Sequence, residues 1–420
     1  MDFERFKRKI QPAINIYHLV KAVIANVLYG FPSRKLKVIG VTGTDGKTTT
    51  AHLIYHILKL SGKKASLISS IYAKIGDEEF TTGLHTTTPD SLAVQKYLKQ
   101  AVVNGDGYFI LETTSHALDQ NRIFGVRFLI SVITNITPEH LDYHKTYDNY
   151  MRAKAKLLLS SETPIINRDD KSFPPLEKLL VERGKNYRTY GLHHKADFSV
   201  NFGKVLKLPL SKFNAYNYLA AYSVASTLGF AKQKISDALK TFTLPQGRME
   251  KVYDKDFTVV IDFAHTANSL NQVLGELKNG VKNSQGRLIH VFGAAGLRDY
   301  QKRPAMGEAS ASHSDVVILT EEDYRTEDPE VICKEISEGL IKKGFRYVGK
   351  DNLDSGNIKV YTLIVNRKEA IKKAIQIAKK GDIVVTTGKS HEQSLARGKK
   401  EYPWDEKKAV MEALRERFTI

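Results

Sequence analysis

The sequence predicts an α/β protein of more than one domain, and three observations lead to this prediction. The chain has 420 residues, which is more than one ordinary hydrophobic core holds. Short apolar strand patterns alternate with helical patterns in both halves of the chain. A turn signal at Pro245, Gln246 and Gly247 separates the halves. We therefore expect a helical stub over 1–36, a central domain over 37–244 and a C-terminal domain over 245–420, with a mostly parallel sheet in each large domain.

The composition is that of a globular protein with a strong basic excess. The hydrophobic fraction is 42%, the charged fraction is 26%, and the net charge is +18 from 64 basic and 46 acidic residues. This excess is either a general solubility bias or a field that favours anionic ligands such as nucleotides. No basic cluster with interleaved aromatic residues predicts a nucleic-acid partner. Cys333 is the only cysteine, which excludes a disulfide framework and fits a cytoplasmic protein.

The longest apolar stretch lies near the N-terminus, over residues 14–31. His18, Lys21 and Asn26 interrupt it, so we do not expect it to cross a membrane. A helical period places six apolar residues on one face: Ile16, Leu19, Val20, Val23, Ile24 and Val27. The favoured interpretation is a helix packed on its own domain. A weak membrane-surface contact is the alternative, because four basic residues precede the stretch: Arg5, Lys7, Arg8 and Lys9.

A strand, a glycine-containing loop and a helix follow one another over residues 37–60. Glycines allow the loop to turn tightly and to direct backbone N–H groups at an anion. Lys47 would reach the outer phosphates, and the Thr48 hydroxyl would hold a magnesium ion. This order of elements predicts that the chain binds ATP and Mg²⁺ through the loop residues Gly43, Thr44, Asp45, Gly46, Lys47, Thr48 and Thr49.

Polar residues follow three predicted strands of the central domain. The strands are expected over 65–71, 108–112 and 128–134. Glu112 ends the second one, and because ligands bind beyond the carboxyl ends of parallel strands it would meet magnesium near Thr48. The hydroxyl-rich loop over 81–90 favours a polar ligand surface. Residues 139–144 hold two histidines and two acids, which indicates a possible metal site.

The remaining pattern is clear except over 171–212, where short β patterns and turns give no assignment. A helix over 147–159 carries Lys154, a strand is expected over 164–167 and a helix over 215–228. Five strands are predicted in the second half, over 258–262, 288–292, 316–320, 360–365 and 383–387. Loops at 293–296 and 388–392 follow two of them on the ligand-binding edge.

Taken together, these segments resemble the Mur ligase family, and within it the tripeptide-synthetase type (MurE). The resemblance runs from about Lys37 to the end of the chain. In the first half, the chain reads GTDGKTT at 43–49 where the family has G-T-N-G-K-T-T, TTP at 87–89 as in the family, and ETTSHAL at 112–118 where the family has E-x-S-S-H-A-L. The family's T-N-x-x-x-[DE]-H-L-D-x-H run is complete at 134–144, and its Y-x-x-A-K pattern matches Tyr150, Ala153 and Lys154. In the second half, the family's P-G-R-M-E appears as PQGRME at 245–250, D-Y-A-H-T-P-D-S-L as DFAHTANSL at 262–270, F-G-C-G-G-[DN]-R-D as FGAAGLRD at 292–299 and G-K-G-H-E as GKSHE at 388–392.

The resemblance implies a fold and a set of site residues. The central domain would be a P-loop-type ATPase domain, and the C-terminal domain would be Rossmann-like. The residues matching Glu112 and His140 bind magnesium in the family, and the lysine matching Lys154 is carbamylated. We therefore expect Lys47, Glu112, His140 and Lys154 to be catalytic, with Thr48, Glu112 and His140 at the metal. The further nucleotide contacts implied are Asn214, Asn217, Arg248, Asp262, His265 and Arg298.

The implied activity is an ATP-dependent peptide ligase of peptidoglycan synthesis. The acceptor would be UDP-MurNAc-L-Ala-D-Glu or another acidic muropeptide, including one attached to a membrane lipid, since the family's N-terminal uridine-binding domain is not recognised before residue 37. The added amino acid would be diaminopimelate, or lysine as the second choice. The expected substrate contacts are Thr87, Thr88, Ser115, Gln120, Arg122, Arg325 and Glu392.

Two other functions remain open on sequence grounds. One is another ligase of the superfamily, such as a folylpolyglutamate or poly-glutamate synthase. The other is a non-catalytic ATP-binding partner protein. The motifs at 85–89 and 115–118 favour the peptide ligase over the synthase. The argument against a non-catalytic role is the presence of the four expected catalytic residues, Lys47, Glu112, His140 and Lys154.

Overall fold

The computed structural model describes residues 3–83, 87–200, 202, 210–282, 286–353 and 359–418, with only the backbone given for 3–10 and 282. The chain forms two compact units. The first unit contains Met1–Pro138 and His144–Thr243, and the second contains Glu139–Tyr143 and Leu244–Ile420. The short segment Glu139–Tyr143 thus belongs to the second unit although its neighbours in the chain belong to the first.

An eight-stranded sheet forms the centre of the first unit, in the order β4-β3-β2-β5-β1-β6-β7-β8. Six strands are parallel, and β3 and β4 form an antiparallel edge. Central strands such as β1 and β5 are buried on both faces because helices cover both sides, which is why their sequences are continuous apolar runs. The strands are β1 Lys37–Thr42, β2 Ala65–Ile68, β3 Ala73–Ile75, β4 Glu78–Phe80, β5 Tyr108–Glu112, β6 Phe128–Ile133, β7 Ser161–Asn167 and β8 Arg188–Tyr190.

Eight α-helices of the described residues lie wholly in the first unit, and a ninth, Leu141–His144, lies mostly outside it. Several begin at a side-chain cap predicted by helix-start rules: Asp90 accepts from Leu92 N, and Thr146 accepts from Asn149 N. The helices are α1 Phe3–Tyr29, α2 Lys47–Leu60, α3 Ser91–Val103, α4 Ser115–Asp119, α5 Leu141–His144, α6 Tyr147–Ser160, α7 Phe173–Glu182, α8 Lys212–Thr227 and α9 Lys232–Lys240. Most of α5 lies in the segment that belongs to the second unit.

The second unit is built on a seven-stranded sheet in the order β13-β14-β12-β11-β15-β10-β9. All its pairs are parallel except β9 with β10, and a separate antiparallel hairpin pairs β16 with β17. The strands are β9 Glu250–Asp254, β10 Thr258–Ile261, β11 Leu288–Phe292, β12 Val316–Leu319, β13 Arg346–Tyr347, β14 Val360–Leu363, β15 Ile383–Thr386, β16 Ser394–Arg397 and β17 Lys400–Pro403. The helices are α10 Ala267–Lys282, α11 Lys302–Ala311, α12 Pro329–Lys342, α13 Arg367–Ile377 and α14 Glu406–Phe418.

A buried ion pair joins the last two helices of the second unit. Arg367 on α13 donates two hydrogen bonds to Glu406 on α14, at 2.8 and 2.6 Å, and both side chains are fully buried. Trp404 Nε1 donates to the same carboxylate at 2.8 Å. Such a pair is stable inside the protein only because these additional donors satisfy the carboxylate oxygens.

The α/β prediction is confirmed, and each predicted strand is present to within a few residues. The prediction was incomplete where strands are short and exposed. The strands β3, β4, β9 and β13 and the β16–β17 hairpin were not predicted, because their two to five residues carry little apolar periodicity. Within 171–212, the structure shows α7 and β8.

The N-terminal helix exists as predicted, but the predicted face is not the one that packs. Ala22, Ala25 and Asn26 are the buried residues of α1, whereas Ile16 is 63% exposed and Val27 is 64% exposed. The helix therefore packs on its own unit through a face of small and polar residues, and its apolar face is left outside. No helix in the described part of the chain is long and apolar enough to cross a membrane.

Candidate active site

The predicted nucleotide loop connects β1 to α2. β1 ends at Thr42 and α2 begins at Lys47. Gly43 and Gly46 have φ of 149° and 81°, and a Cβ on Gly46 would lie 2.2 Å from Asn217 Oδ1. Glycine is therefore required at Gly46 both for its backbone conformation and for lack of space. The loop directs the N-terminus of a buried helix outward, which is the usual site for a phosphate group.

The loop is held from the neighbouring strand end. Asp45 N donates to Asn135 Oδ1 at 3.0 Å, and Thr134 Oγ1 donates to Asp45 O at 2.6 Å. Thr44 N donates to Asn135 O at 2.8 Å. Thr134 and Asn135 were not among the predicted site residues, although the T-N pair of the 134–144 motif carried the signal. These contacts show what the Thr134–Asn135 pair does: it holds the nucleotide loop in place.

Lys47 points back over this loop. Its Nζ donates to Thr44 O at 2.7 Å. A lysine at the first position of α2 places its charge beside the helix N-terminus, where both favour an anion.

Thr48 and Glu112 meet at the carboxyl ends of β1 and β5. Thr48 Oγ1 donates to Glu112 Oε1 at 3.0 Å, and Ser70 N donates to Glu112 Oε2 at 3.0 Å. Ser70 Oγ also lies 2.9 Å from Thr48 Oγ1. Glu112 is 1% exposed, so its charge depends on these donors or on a cation. Ser70 is a neighbour of the carboxylate that sequence reasoning missed.

These oxygen atoms fit a magnesium ion. Hydroxyl and carboxylate oxygens are the ligands Mg²⁺ prefers, and Mg²⁺ keeps most of its other ligands as water and phosphate oxygens. Within the described residues no group of three or more His, Cys, Asp or Glu side chains is placed to hold a metal. A site formed by Thr48 and Glu112 therefore suits an ion that arrives with a nucleotide.

His140, the third predicted metal residue, lies in the segment that belongs to the second unit. Its backbone has a φ of 55°, and its Nε2 lies 3.7 Å from Glu139 Oε2. Its assignment to the metal stays a prediction.

Lys154 is buried against the nucleotide loop. It is 2% exposed, and its Nζ lies 2.5 Å from Gly43 O and 4.5 Å from the centre of the Tyr150 ring. A carbamylated lysine retains one N–H, so the bond to Gly43 O is compatible with that modification. The position next to the loop supports the predicted catalytic role.

The predicted acceptor residues lie beside Glu112. Thr88 Oγ1 donates to the Glu112 backbone carbonyl at 3.0 Å and accepts from Thr114 N at 3.0 Å. Arg122 Nε donates to Gln120 Oε1 at 2.8 Å, and Arg122 NH1 lies 3.5 Å from Thr88 O. Three of the predicted acceptor residues, Thr88, Gln120 and Arg122, thus converge at one strand end, with Thr87 as the chain neighbour of Thr88. Residues 84–86 of the hydroxyl-rich loop lie outside the described residues.

His144 connects the acceptor side to the nucleotide loop. Its Nε2 lies 3.0 Å from Ser115 Oγ, and its ring contacts Tyr150 at 5.2 Å between centroids. Tyr150 OH in turn lies 3.1 Å from Thr44 Oγ1. Burial lowers the pKa of His144 to about 4, so the imidazole is neutral at neutral pH. The sequence marked His144 as the end of a motif and as one of four residues of a candidate metal site, and its contact with Ser115 was not predicted.

Two asparagines on α8 lie under the nucleotide loop. Asn217 Nδ2 donates to Asn214 Oδ1 at 3.2 Å, and Thr50 Oγ1 lies 3.5 Å from Asn217 Oδ1. Both asparagines are buried. Asn217 adjoins Gly46, and this position supports the prediction that the two asparagines contact the nucleotide.

Asp262 anchors the start of the second unit. Its carboxylate accepts from Met249 N at 2.8 Å and from Ala264 N at 2.7 Å, and burial raises its pKa. Arg248 lies 4.5 Å over the Phe263 ring. Asp262 and Arg248 are therefore close to one another, as the prediction of a shared nucleotide contact requires. Arg298, the remaining predicted residue, is exposed.

His265 forms an ion pair with Glu139, both within the second unit. His265 Nε2 lies 3.2 Å from Glu139 Oε1. Burial alone would lower the pKa of His265, but the Glu139 carboxylate raises it. Burial alone would raise the pKa of Glu139, but His140 and His265 hold it well below its usual range. Glu139 was not predicted as a site residue, although it lies in the acidic and histidine-rich run.

Lys389 links the two loops that carry the residues predicted to bind the incoming amino acid. Its Nζ donates to Asp323 Oδ1 at 2.8 Å and to Glu392 Oε2 at 2.5 Å, and it is fully buried. Arg325 NH1 donates to Gly296 O at 2.8 Å and to Asp323 O at 3.2 Å. The loops that carry Arg325 and Glu392 are thus brought together by a lysine that sequence reasoning did not select. Lys389 is the second residue of the 388–392 motif, and this position was its signal in the sequence.

Comparison with protein families agrees with this geometry. Residues 41–225 match the Mur ligase middle domain, and residues 247–390 match the Mur ligase, glutamate ligase domain. The first match contains the nucleotide loop and the acceptor residues of the first unit. The second contains Asp262, His265 and the Arg325 loop.

Individual relatives extend the likeness over most of the chain. The chain is 38% identical to a UDP-N-acetylmuramoyl-L-alanyl-D-glutamate--2,6-diaminopimelate ligase of Clostridium acetobutylicum, covering 94% of this chain and 82% of that protein. It is 38% identical to the ligase of the same activity from Aquifex aeolicus, covering 93% and 80%. A solved structure of a ligase with that name has a TM-score of 0.57 at 31% identity, covering 91% of this chain and 78% of the other.

Solved structures with lower identity share the fold. Mycobacterium tuberculosis folylpolyglutamate synthase, in complexes with ADP and AMPPCP, has a TM-score of 0.65 at 15% identity, covering 88% of this chain and 92% of the other. At this level of identity the likeness concerns the fold alone. On the family matches and on relatives of this identity and coverage, the chain belongs to the Mur ligase family.

Proposed function

We propose that the protein is an ATP-dependent ligase that adds an amino acid to UDP-MurNAc-L-Ala-D-Glu, or to a closely related acidic muropeptide. One observation carries the proposal. Glu112 contacts the nucleotide loop through its side chain and the acceptor loop through its backbone, by way of Thr48 and Thr88. A phosphate donor and a carboxylate acceptor bound at these two loops would meet beside this residue.

The chemistry is a phosphoryl transfer followed by an acyl transfer. The acceptor carboxylate attacks the γ-phosphorus of ATP, and ADP leaves with the bridging oxygen. The amine of the incoming amino acid then attacks the acyl carbon of the resulting acyl phosphate, releasing inorganic phosphate and a proton. Both reactants of the first step are anions, so the site must offset charge repulsion.

Residues of the first unit would reduce this repulsion between the two anions. Lys47 and the N-terminus of α2 would bind the outer phosphates. Thr48 and Glu112 would hold Mg²⁺, which when bound draws charge from the phosphate oxygens. Arg122 and Gln120 would bind the acceptor at the Thr88 end. Lys154, as a carbamate, would add a negative group beside Gly43 that orients the ion.

The second unit would select the amino acid. Diaminopimelate and lysine both carry an amino group at the far end of the side chain, but only diaminopimelate carries a second carboxylate there. Arg325 is suited to bind that carboxylate through its planar guanidinium. Glu392 would face an amino group. The relatives named above are diaminopimelate ligases, which supports diaminopimelate as the substrate of this chain.

The decisive measurement is ADP release with UDP-MurNAc-L-Ala-D-Glu and a panel of amino acids. We expect turnover that depends on the amino acid, fastest with meso-diaminopimelate and slower with lysine. Absence of turnover with every amino acid would refute the ligase proposal. Turnover with tetrahydrofolate and glutamate in place of the muropeptide would instead indicate a folylpolyglutamate synthase.

A pair of variants tests the substrate choice. Arg325→Ala should raise the KM for diaminopimelate about tenfold or more and leave the KM for lysine nearly unchanged, because one charged pair is lost only with the first substrate. Arg346→Ala, on the exposed strand β13 of the same unit, is the matched control. An equal effect on both substrates would remove Arg325 from the carboxylate site.

A further inference from the structure

The helix α1 presents a continuous apolar stripe to the outside. Between residues 12 and 28 every exposed side chain of α1 is apolar. The stripe consists of Ile16, Val20, Val23, Ile24, Val27 and Leu28, which are between 45% and 67% exposed. At 100° per residue these positions cover about 140° of the helix circumference over about 18 Å of its length. Exposed apolar surfaces that are this continuous mark interaction sites.

The stripe faces outward because polar contacts fix the opposite side of the helix. Asn26 Nδ2 donates to Phe124 O at 2.8 Å, and Lys21 Nζ lies 3.5 Å from Asp90 Oδ1. Asn15 Nδ2 lies 3.4 Å from Asp119 Oδ2. Turning the apolar face inward would break these bonds and bury the polar groups without partners. The orientation of the stripe is thus built into the first unit.

Charge around the stripe favours an anionic surface. Residues 5–44 contain no aspartate or glutamate. Basic residues stand at both ends of the stripe: Arg5, Lys7, Arg8 and Lys9 precede it, and Arg34, Lys35 and Lys37 follow it. The last three are exposed.

The same charges disfavour a second copy of the chain. Parallel or antiparallel pairing of two α1 helices would bring basic ends together. A two-helix seam also needs only a narrow a/d stripe flanked by charged residues, whereas this stripe is broad and the exposed neighbour Tyr17, at 62% exposure, is an aromatic residue without charge. The broad stripe suits a helix that lies in a lipid interface with its apolar side immersed and its basic ends at the headgroups.

We propose that α1 docks the protein on the surface of a membrane that contains anionic lipid. The helix would lie parallel to the surface, with Val20 and Ile24 near the middle of the immersed side. Its packed side contacts Asp119 and Asp90, next to the predicted acceptor residues Gln120 and Thr88. Docking would therefore hold the acceptor side of the first unit close to the lipid. The proposal does not depend on the ligase activity.

The test is co-sedimentation of the full chain with vesicles. One set contains phosphatidylcholine alone and the other contains about 30% phosphatidylglycerol. We expect binding to the anionic set, and the apparent affinity should fall at least about tenfold with the neutral set or in high salt. Failure to bind either set would overturn the proposal.

A double substitution locates the contact. Val20→Glu with Ile24→Glu places two charges on the immersed side and should reduce binding to anionic vesicles at least about tenfold. Val181→Glu, at an exposed apolar residue of α7, should bind like the unaltered protein. Circular dichroism and ATP affinity should be the same for all three proteins, which shows that the variants fold.

Two outcomes of this comparison would contradict the proposal. Equal vesicle binding by the double variant and the unaltered chain would show that the stripe is not the contact. A dimer in light scattering that the double substitution converts to a monomer, without vesicle binding, would assign the stripe to a second copy.

Discussion

Glu112 is the residue on which the candidate site of the first unit depends most. Its carboxylate accepts from Thr48 and from Ser70 N, and its backbone carbonyl accepts from Thr88. It lies at the last position of β5, in the middle of a parallel sheet. The side chain at this position reaches the nucleotide loop because β1 is the next strand in the sheet, and parallel strands end at the same edge.

Lys154 gives a test of chemistry at a single residue. Lys154→Ala should lower the turnover number about 100-fold or more, because the group next to Gly43 is lost. If the lysine acts as a carbamate, adding a short carboxylic acid should restore part of the activity. The measurement is ADP release at saturating substrates.

Lys156 provides the matched control for this substitution. It lies on the same helix, but its side chain is 46% exposed and pairs with Asp119. Lys156→Ala should retain near-normal turnover. Full activity of Lys154→Ala would show that neither the amine nor a carbamate at this position takes part in the reaction.

His290 should make the second unit sensitive to mild acid. Its ring stacks on Phe292 at 4.2 Å and lies between Ser310 Oγ and Thr387 Oγ1. Burial lowers its pKa to about 3. The unfolded chain binds a proton at this histidine near its ordinary pKa and the folded chain does not, so the free energy of unfolding falls as the pH drops below about 6.5.

We expect His290 to contribute a loss of about 1 kcal/mol in the free energy of unfolding between pH 7.5 and 5.5. Urea unfolding followed by the fluorescence of Trp404, the single tryptophan, reports on this unit. His290→Gln, which can still hydrogen bond, should show a pH dependence smaller by that amount. An unchanged pH dependence in the variant would mean that the buried imidazole does not titrate on unfolding.

At the scale of elements, the loop between β1 and α2 is rigid because several parts of the first unit converge on it. Asn217 from α8 occupies the space beside Gly46, and Asn135 beyond β6 binds Asp45. Lys154 from α6 binds Gly43 O. Each contact comes from a different element, so the loop is shaped before a ligand arrives, and binding needs little ordering of the chain.

Gly46→Ala tests this preformed loop. The new Cβ would lie 2.2 Å from Asn217 Oδ1 at a φ of 81°, so either the loop or α8 must shift. We expect ATP affinity, measured by calorimetry, to fall at least about tenfold. Gly62→Ala is the control: Gly62 has a φ of 74° with nothing within 4 Å. That change should cost about 1 kcal/mol of stability and leave ATP affinity unchanged.

A similar affinity for ATP in both glycine variants would contradict the inference that the nucleotide loop is preformed. It would show that the loop can open away from Asn217 at little cost. The pair is informative because both glycines have a left-handed backbone and only Gly46 is enclosed.

For the whole molecule, the net charge of +18 should speed the arrival of anionic substrates. ATP and the muropeptide are both anions, and a basic protein attracts them over distances of the order of the Debye length, about 10 Å in 0.1 M salt. The kcat/KM for the acceptor should therefore fall several-fold between about 0.05 and 0.3 M NaCl, with little change in kcat. Steady-state kinetics with constant ATP measures this effect.

Potassium glutamate and sodium chloride at equal ionic strength should give the same decrease. A kcat that falls with salt while kcat/KM stays constant would place the effect on the reaction and not on the encounter. The basic charge would then be a matter of solubility alone.

Strands and helices with strong periodicity were predictable, and so was the order of the motifs. β5 and β11 were predicted with their observed bounds, because both are short apolar runs bounded by turn residues. Lys47, Thr48 and Glu112 could be selected because a phosphate loop and a strand-end carboxylate have a recognisable pattern. Ser70 could not, since a serine in a loop has no chemistry of its own until its neighbours are known. Asn135 and Lys389 lie inside recognisable motifs, but a motif does not show which groups its residues contact.

An α/β fold of the ligase family with a nucleotide loop can be recognised from the amino-acid sequence, because local patterns and motif order depend only on neighbours in the chain. The folded structure is needed to see which groups meet. It placed Thr88 on the backbone of Glu112, joined Asp323 and Glu392 through Lys389, and turned the apolar side of α1 outward. These contacts join residues far apart in sequence, and the hydrophobic period of a helix shows that it has an apolar face without showing what that face meets.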